Sequence, residues 1–164
     1  MSRSAILNAT IQNQLKLADI ETAEEAGAVL TLTRTAVQAI TTAGTTIVWQ
    51  SEIRGYQITW SGTDITIPAD GWYLVSLSLQ TSANLNDLLV TIGVNGGNTV
   101  QLSSIGDVDR NRIGISNTRY YNENDVLRIA LTPSANVNVL AQAEGGIGES
   151  PILHIVQLSG GVDV

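Results

Sequence analysis

His154, the carboxylates of Asp107 and Asp109, the acidic turn Glu123–Asp125 and seven aromatic rings are the residues of this chain whose chemistry could reach beyond packing. His154 is the only histidine and stands in ILHIVQL, alternating with Leu153 and Ile155. General acid–base work needs a positioned partner, and the local pattern reads as an ordinary strand histidine with its hydrogen bonds satisfied. The chain has no cysteine, which removes thiolate nucleophiles, zinc–thiolate sites and disulfides. Asp107-Val108-Asp109-Arg110-Asn111 opens with the spacing of a calcium loop. The pattern then fails. Arg112 stands where the sharp turn needs glycine, Thr118 stands where the closing acid belongs, and Arg110 and Arg112 would repel a cation. The segment 106–112 is therefore expected to be a solvated or interface loop, and Glu123–Asp125 an exposed turn. No catalytic, cofactor-binding or metal residue is assigned, no cofactor is expected, and the chain is read as a non-enzyme.

The remaining candidates divide the same way. Gly145-Gly146-Ile147-Gly148 lacks the strand-to-helix setting of a phosphate loop and reads as a connector. No serine sits in a nucleophile elbow. Asn8-Ala9-Thr10 fits a glycosylation sequon, which carries little without a secretion signal. Trp49, Trp60, Trp72, Tyr56, Tyr73, Tyr120 and Tyr121 could bind a sugar face or a protein hot spot if exposed. With no Phe in the chain, several of these rings are expected to fill the core instead.

Composition narrows the partners. The formal net charge is −7, with one Lys and seven Arg, so no basic patch is expected for nucleic acid or anionic membrane. No run of apolar residues reaches the roughly 18 of a membrane span, and the first residues lack a signal-peptide core. The chain is expected to be made and soluble in a cytosol. Charged residues make up only 14%, while Thr, Ser, Asn and Gln are abundant. Such a neutral polar surface suits a particle in which many copies pack side by side.

The elements that must position these residues are strands. TTIVWQ, GYQITW, DITIP, WYLVSLSLQ, LLVTIGVN, NTVQLSSI, IGISNTRYY, VLRIALT, VNVLAQA and ILHIVQL read as β-runs rich in β-branched residues. SGTD, ADG, Asn95-Gly96-Gly97-Asn98 and NEND read as turns between them, the third by the readiness of Asn and Gly to adopt positive φ. Asn84–Asp87 reads as a loop. In WYLVSLSLQ, Val75, Leu77 and Leu79 fall on one side and Leu74, Ser76 and Ser78 on the other. Turns at short intervals, and no helix pattern after residue 45, give an antiparallel sandwich.

Residues 1–43 are expected to form an N-terminal arm, and residues 44–164 the sandwich domain. Ile6, Leu7, Ile11, Leu15 and Ala18 follow a loose three–four spacing, and Thr22–Glu25 is a capping-box pattern, so the arm is extended with room for one short helix. TLTRTAV alternates as a strand would. Asp19, Glu24 and Glu25 make the arm acidic, as a solvated face or as a docking surface for a basic partner. The arm lies either on its own domain or on a neighbouring molecule.

Residues 45–158 resemble the jelly-roll domain of the complement globular head and tumour necrosis factor families. IPADGWYLVSLSL is similar to the Pro-x-x-Gly-x-Tyr corner that leads into a long inner strand, here Pro68, Gly71 and Tyr73. YYNENDVLRIAL is similar to the penultimate strand entered through a polar turn with Asp125, and ILHIVQL to the terminal strand, ending at Ser159-Gly160. The resemblance implies an all-β jelly-roll sandwich that associates as a homotrimer. The same jelly roll recurs in head decoration proteins, head fibres and tail-fibre tips of tailed phages. That context implies a virion structural protein, a capsid decoration (cement) protein placed on the capsid surface, with the major capsid protein or another virion protein as partner. A receptor-binding fibre tip or host-surface adhesin, with a glycan or host receptor as partner, is the alternative. If the domain is a trimer, His154 on the last strand would sit near the axis and make assembly sensitive to pH.

Overall fold

The computed structural model describes residues 27–141 and 151–160, with the backbone alone at 98–111 and 160. Eleven strands follow one another along the chain. They are β1 (Val29–Thr33), β2 (Gln38–Ile40), β3 (Thr45–Thr46), β4 (Ser51–Tyr56), β5 (Thr59–Ser61), β6 (Asp64–Thr66), β7 (Gly71–Val94), β8 (Asn98–Tyr121), β9 (Val126–Pro133), β10 (Val137–Val139) and β11 (Ile152–Gly160). No helix occurs among the described residues. All pairings are antiparallel, and the strands form one hydrogen-bonded network.

The organising element is the ribbon made by β7 and β8. Both run 24 residues. They pair from Gly71↔Tyr121 to Val94↔Asn98, with the register broken between Gln80 and Asp87. The ribbon doubles over there. Its first half pairs with β11 (Gly71 to Ser78), its second half with β9 (Leu88 to Val94). Both ends of the ribbon return to the same end of the molecule, because Tyr121 and Val126 are separated only by the turn Asn122–Asp125 and the Asn95 amide donates to the Val126 carbonyl at 2.9 Å. Two layers result. The front sheet runs β4-β1-β11-β7-β8, using Gly71–Gln80 and Arg112–Tyr121 of the ribbon. The back sheet joins the other half of the ribbon to β9, β6 and β5, with β3 also on β9. This is an antiparallel jelly-roll sandwich, as the alternation predicts.

The core lies between the layers. Tyr73, Val75, Leu77 and Leu79 of β7 meet Leu153 and Ile155 of β11, Leu30 and Leu32 of β1, and Val90, Ile92, Leu127, Ile129 and Leu131 from behind, all buried. Trp49, Tyr73 and Tyr121 are the largest fully buried side chains. These three rings occupy the volume that Phe would otherwise fill. The hairpin tip is Val94 to Gly97. Asn95 and Gly96 take φ of 51° and 72°, and the Gly97 amide donates to the Val94 carbonyl at 3.1 Å. Positive φ at both central residues matches the right-handed twist of the strands.

Several elements depart from the sequence expectation. The body does not begin at residue 44: β1 lies between β4 and β11, with Leu30 and Leu32 buried, and β2 pairs with β10. Only 1–26 of the expected arm lies outside the described residues, together with its helix, capping box, acidic residues and sequon. The expected loops at 84–87 and 106–112 are strand. They span the places where the ribbon bends and its register shifts. TTIVWQ is a crossing segment rather than one strand. The Ile47 amide bonds Ile129 of the back sheet, and the Gln50 amide bonds Thr33 of the front sheet. GYQITW is broken at Gln57, whose φ is 65°, into the end of β4 and the first two residues of β5. VNVLAQA forms a ladder only over β10.

Candidate functional site

The outward side of the front sheet is one of the two outer surfaces of the sandwich, although Val29 and Thr33 of β1 are buried there. Registers place Arg54, Thr31, His154, Ser76 and Ser116 in one row across β4, β1, β11, β7 and β8. Side chains directly opposite in an antiparallel ladder share a face, so this row points one way. The next row is Tyr56, Val29, Val156, Leu74 and Thr118. Beyond it Ser159, Trp72 and Tyr120 stand opposite one another. On the other side of the His154 row come Ser51, Thr33, Ile152, Ser78 and Gly114. The three central strands therefore show no carboxylate, ammonium or guanidinium on this side. Its charged residues, Arg54 and Arg112, stand on the two edge strands.

Each feature of the face follows from its strand. The β7 alternation buries Tyr73, Val75 and Leu77 and turns Trp72, Leu74, Ser76 and Ser78 outward. Trp72 is 51% exposed and Tyr120 40%, and their rings meet edge-to-face with centroids 5.9 Å apart. Tyr56 and Ile152 are also exposed. His154 is half-buried, and its Nδ1 lies 2.8 Å from Thr31 Oγ1 in a hydrogen bond. A hydroxyl can donate to the neutral ring or accept from the charged one, so Thr31 orients His154 without fixing its charge.

At the end of the sandwich where the ribbon begins and ends, the polar groups are committed to one another. The Tyr73 hydroxyl donates to the Ala69 carbonyl at 2.9 Å, which closes the Pro-x-x-Gly-x-Tyr corner. Burial, acting first, pushes the Tyr73 phenol up to about 12, with the Asp70 charge adding to it. Burial likewise pushes the Tyr121 phenol up to about 12. Gly71 is required by close approach: a side chain there would run into the Ser159 carbonyl of β11. Asp125 is a nearly buried clamp rather than an exposed turn residue, with 8% of its surface accessible. Its carboxylate accepts from Asn95 Nδ2 at 2.7 Å and from the Asn122 amide at 2.9 Å. Asn95 Oδ1 in turn accepts from the Val126 amide at 2.8 Å. A small cleft here is lined by Asn95, Arg119, Tyr120, Asn122 and Asp125, but Asn95 and Asp125 serve the two turns they join. Glu123 is exposed, and its amide donates to Asp70 Oδ1 at 2.6 Å.

The other sequence candidates separate. Trp49 and Tyr121 are core, and Trp60 is partly buried with its Nε1 donating to Glu52 Oε2 at 2.8 Å. Asp107, Asp109 and Asn111 fall on β8, where extended backbone spaces alternate residues roughly 6.5 Å apart instead of curling them around one ion. The Gly145–Gly148 segment lies outside the described residues. Thr31 and Arg54 were not visible as functional candidates, because nothing local marks them. They join His154 only through the ladder register.

Three solved structures share the fold. Murine APRIL at pH 8.5 superposes with a TM-score of 0.60 at 16% identity, covering 80% of this chain and 98% of that one. The Eiger tumour necrosis factor of S. frugiperda gives 0.57 at 12%, covering 84% and 96%. The globular domain of the zebrafish complement 1qA protein gives 0.52 at 9%, covering 82% and 99%. No family model and no curated protein matches the chain. The class that the fold defines is thus the jelly roll of tumour necrosis factor and complement globular-head domains, and at these identities the likeness carries the fold alone.

Proposed function

We propose that this chain is a non-enzymatic virion structural protein, a homotrimer closed through the outward side of the front sheet, and more sharply a capsid decoration protein of a tailed phage. The observation that carries the reading is that side itself: across its three central strands it is uncharged, with Leu74, Val156 and Ile152 interleaved with hydroxyl residues. Exclusion of charge from the centre of a surface is what a self-associating contact requires. The jelly roll, with its implied trimers, supports the same stoichiometry.

The position of the two ends of the described body supports the capsid reading. Gly27 packs against Gln157, and Gly160 pairs with Gly71, so both ends of the described body lie at one end of the sandwich. Trp72, Tyr120 and Tyr56 are exposed at that same end. In this reading that end faces the shell, with residues 1–26 reaching onto neighbouring capsid subunits and opposing their separation. Three arms per trimer multiply weak contacts through effective concentration. A fibre tip would present its exposed aromatics at the opposite end, away from the entering chain.

Deleting residues 2–26 should leave a folded trimer that no longer binds capsids. Undiminished capsid binding by the truncated trimer would count against the arm. Electron microscopy of particles carrying a labelled chain should place the label on the head shell, whereas label at a tail fibre would favour the receptor-binding alternative.

A further inference from the structure

We propose that Asn95 is a modification site: a self-reactive asparagine that the Asp125 clamp keeps intact, and whose conversion to aspartate, once the clamp opens, unlocks the hairpin tip from the neighbouring turn. Of all the asparagines in the chain, only Asn95 is followed by glycine. A glycine leaves its own nitrogen unscreened by a side chain, and that nitrogen is the nucleophile. Gly96 takes φ of 72°, and a Cβ built on it would meet nothing within 4 Å, so solvent reaches the peptide that must react.

The step needs only water. The Gly96 nitrogen gives its proton to a solvent base and attacks Asn95 Cγ. The bond from that nitrogen to Cγ forms, the bond from Cγ to Nδ2 breaks, and Nδ2 takes up a proton and leaves as ammonia. Water then opens the five-membered imide at either carbonyl. One opening leaves an aspartate side chain. The other leaves an isoaspartyl link, with one more carbon in the main chain. The net change is amide and water to carboxylate and ammonium.

In the folded chain the leaving group is held. Asn95 Nδ2 donates to Asp125 Oδ1 at 2.7 Å, and Asn95 Oδ1 accepts from the Val126 amide at 2.8 Å. Both ends of the side-chain amide are thus committed to the turn between β8 and β9, and Cγ reaches the Gly96 nitrogen only by giving up these bonds. Asp125 is nearly buried and is itself fixed by the Asn122 amide at 2.9 Å, so the reaction waits for a local opening of the hairpin tip. The product cannot close the clamp again. Aspartate at this position keeps the bond from the Val126 amide but puts an oxygen where Nδ2 donated, facing the Asp125 carboxylate. The isoaspartyl form lengthens the turn that the Gly97 amide closes onto the Val94 carbonyl at 3.1 Å.

The test follows Asn95 by peptide mass mapping of the full chain held at pH 8.0, with circular dichroism to follow the fold. The folded wild type should keep Asn95 long after the urea-unfolded chain has converted it. D125A removes a charge-assisted bond and should convert about tenfold faster than the wild type while folded. If D125A does not fold, D125N, which leaves a weaker neutral bond, should convert faster than the wild type in its place. N95D should lower the denaturant midpoint, and N95D/D125N, which restores the pairing with donor and acceptor exchanged, should recover most of the loss. Conversion of the folded wild type at the unfolded rate, or no acceleration in the folded Asp125 variants, would overturn the protection by the clamp. An N95D as stable as the wild type, or a double variant no better than N95D, would overturn the unlocking.

Discussion

At the scale of single residues, two buried phenols set the alkaline limit of the fold. Tyr73 and Tyr121 are held neutral by burial, each pushed up to about 12. A folded value above the unfolded one of about 10 means that their contribution is present below pH 10. It is lost as pH rises toward 12. Phenolate absorbance and circular dichroism followed together should show these two rings ionising with unfolding, not before it. Y73F removes the bond to Ala69 and should cost about 1 kcal/mol in a urea titration. The exposed pair between Arg128 and Asp64, at 2.6 and 2.8 Å, is a contrast. Hydrogen bonding to Arg128 holds the Asp64 carboxyl down to about 2, so its contribution exists above the usual carboxylate range and disappears as pH falls toward 2. Solvent screens such a pair, and D64N should leave the melting temperature almost unchanged. Tyr73 was legible in the sequence because its corner is local. The Thr31–His154 bond was not, because it joins residues 123 positions apart.

Among elements, the doubled ribbon carries the fold. L77A opens a cavity between the two sheets and should cost about 2–5 kcal/mol. G71A forces the start of β7 away from the Ser159 carbonyl and should destabilise by about 1–3 kcal/mol. D125A strands the Asn95 amide and the Asn122 N–H between two turns and should cost about 1–3 kcal/mol. Each is read from the shift in denaturant midpoint at unchanged slope. Alternation made β7, β9 and β11 legible. The bends at 84–87 and 106–112 were read as loops because polar composition marks solvent exposure, which a bent ribbon and a loop share. The start of the body was misplaced because what ties β1 to the sandwich is its long-range pairing with β4 and β11, which its local pattern does not show. β4 escaped notice because SEIRGY is an exposed edge strand, where nothing enforces apolar alternation.

For the whole molecule, the central claim is that the outward side of the front sheet closes a trimer. Leu74 and Val156 stand opposite one another there, each half-buried, with their side chains away from the core. Carboxylates at both positions would have to be desolvated in the contact on every protomer while staying solvated in a monomer. The most direct measurement is the native mass of the wild type and of the double variant L74D/V156D at pH 8.0. The account predicts three chain masses for the wild type and one for the variant, with the same β-type circular dichroism. A wild type of one chain mass at every concentration, or a variant that remains a trimer, would contradict it.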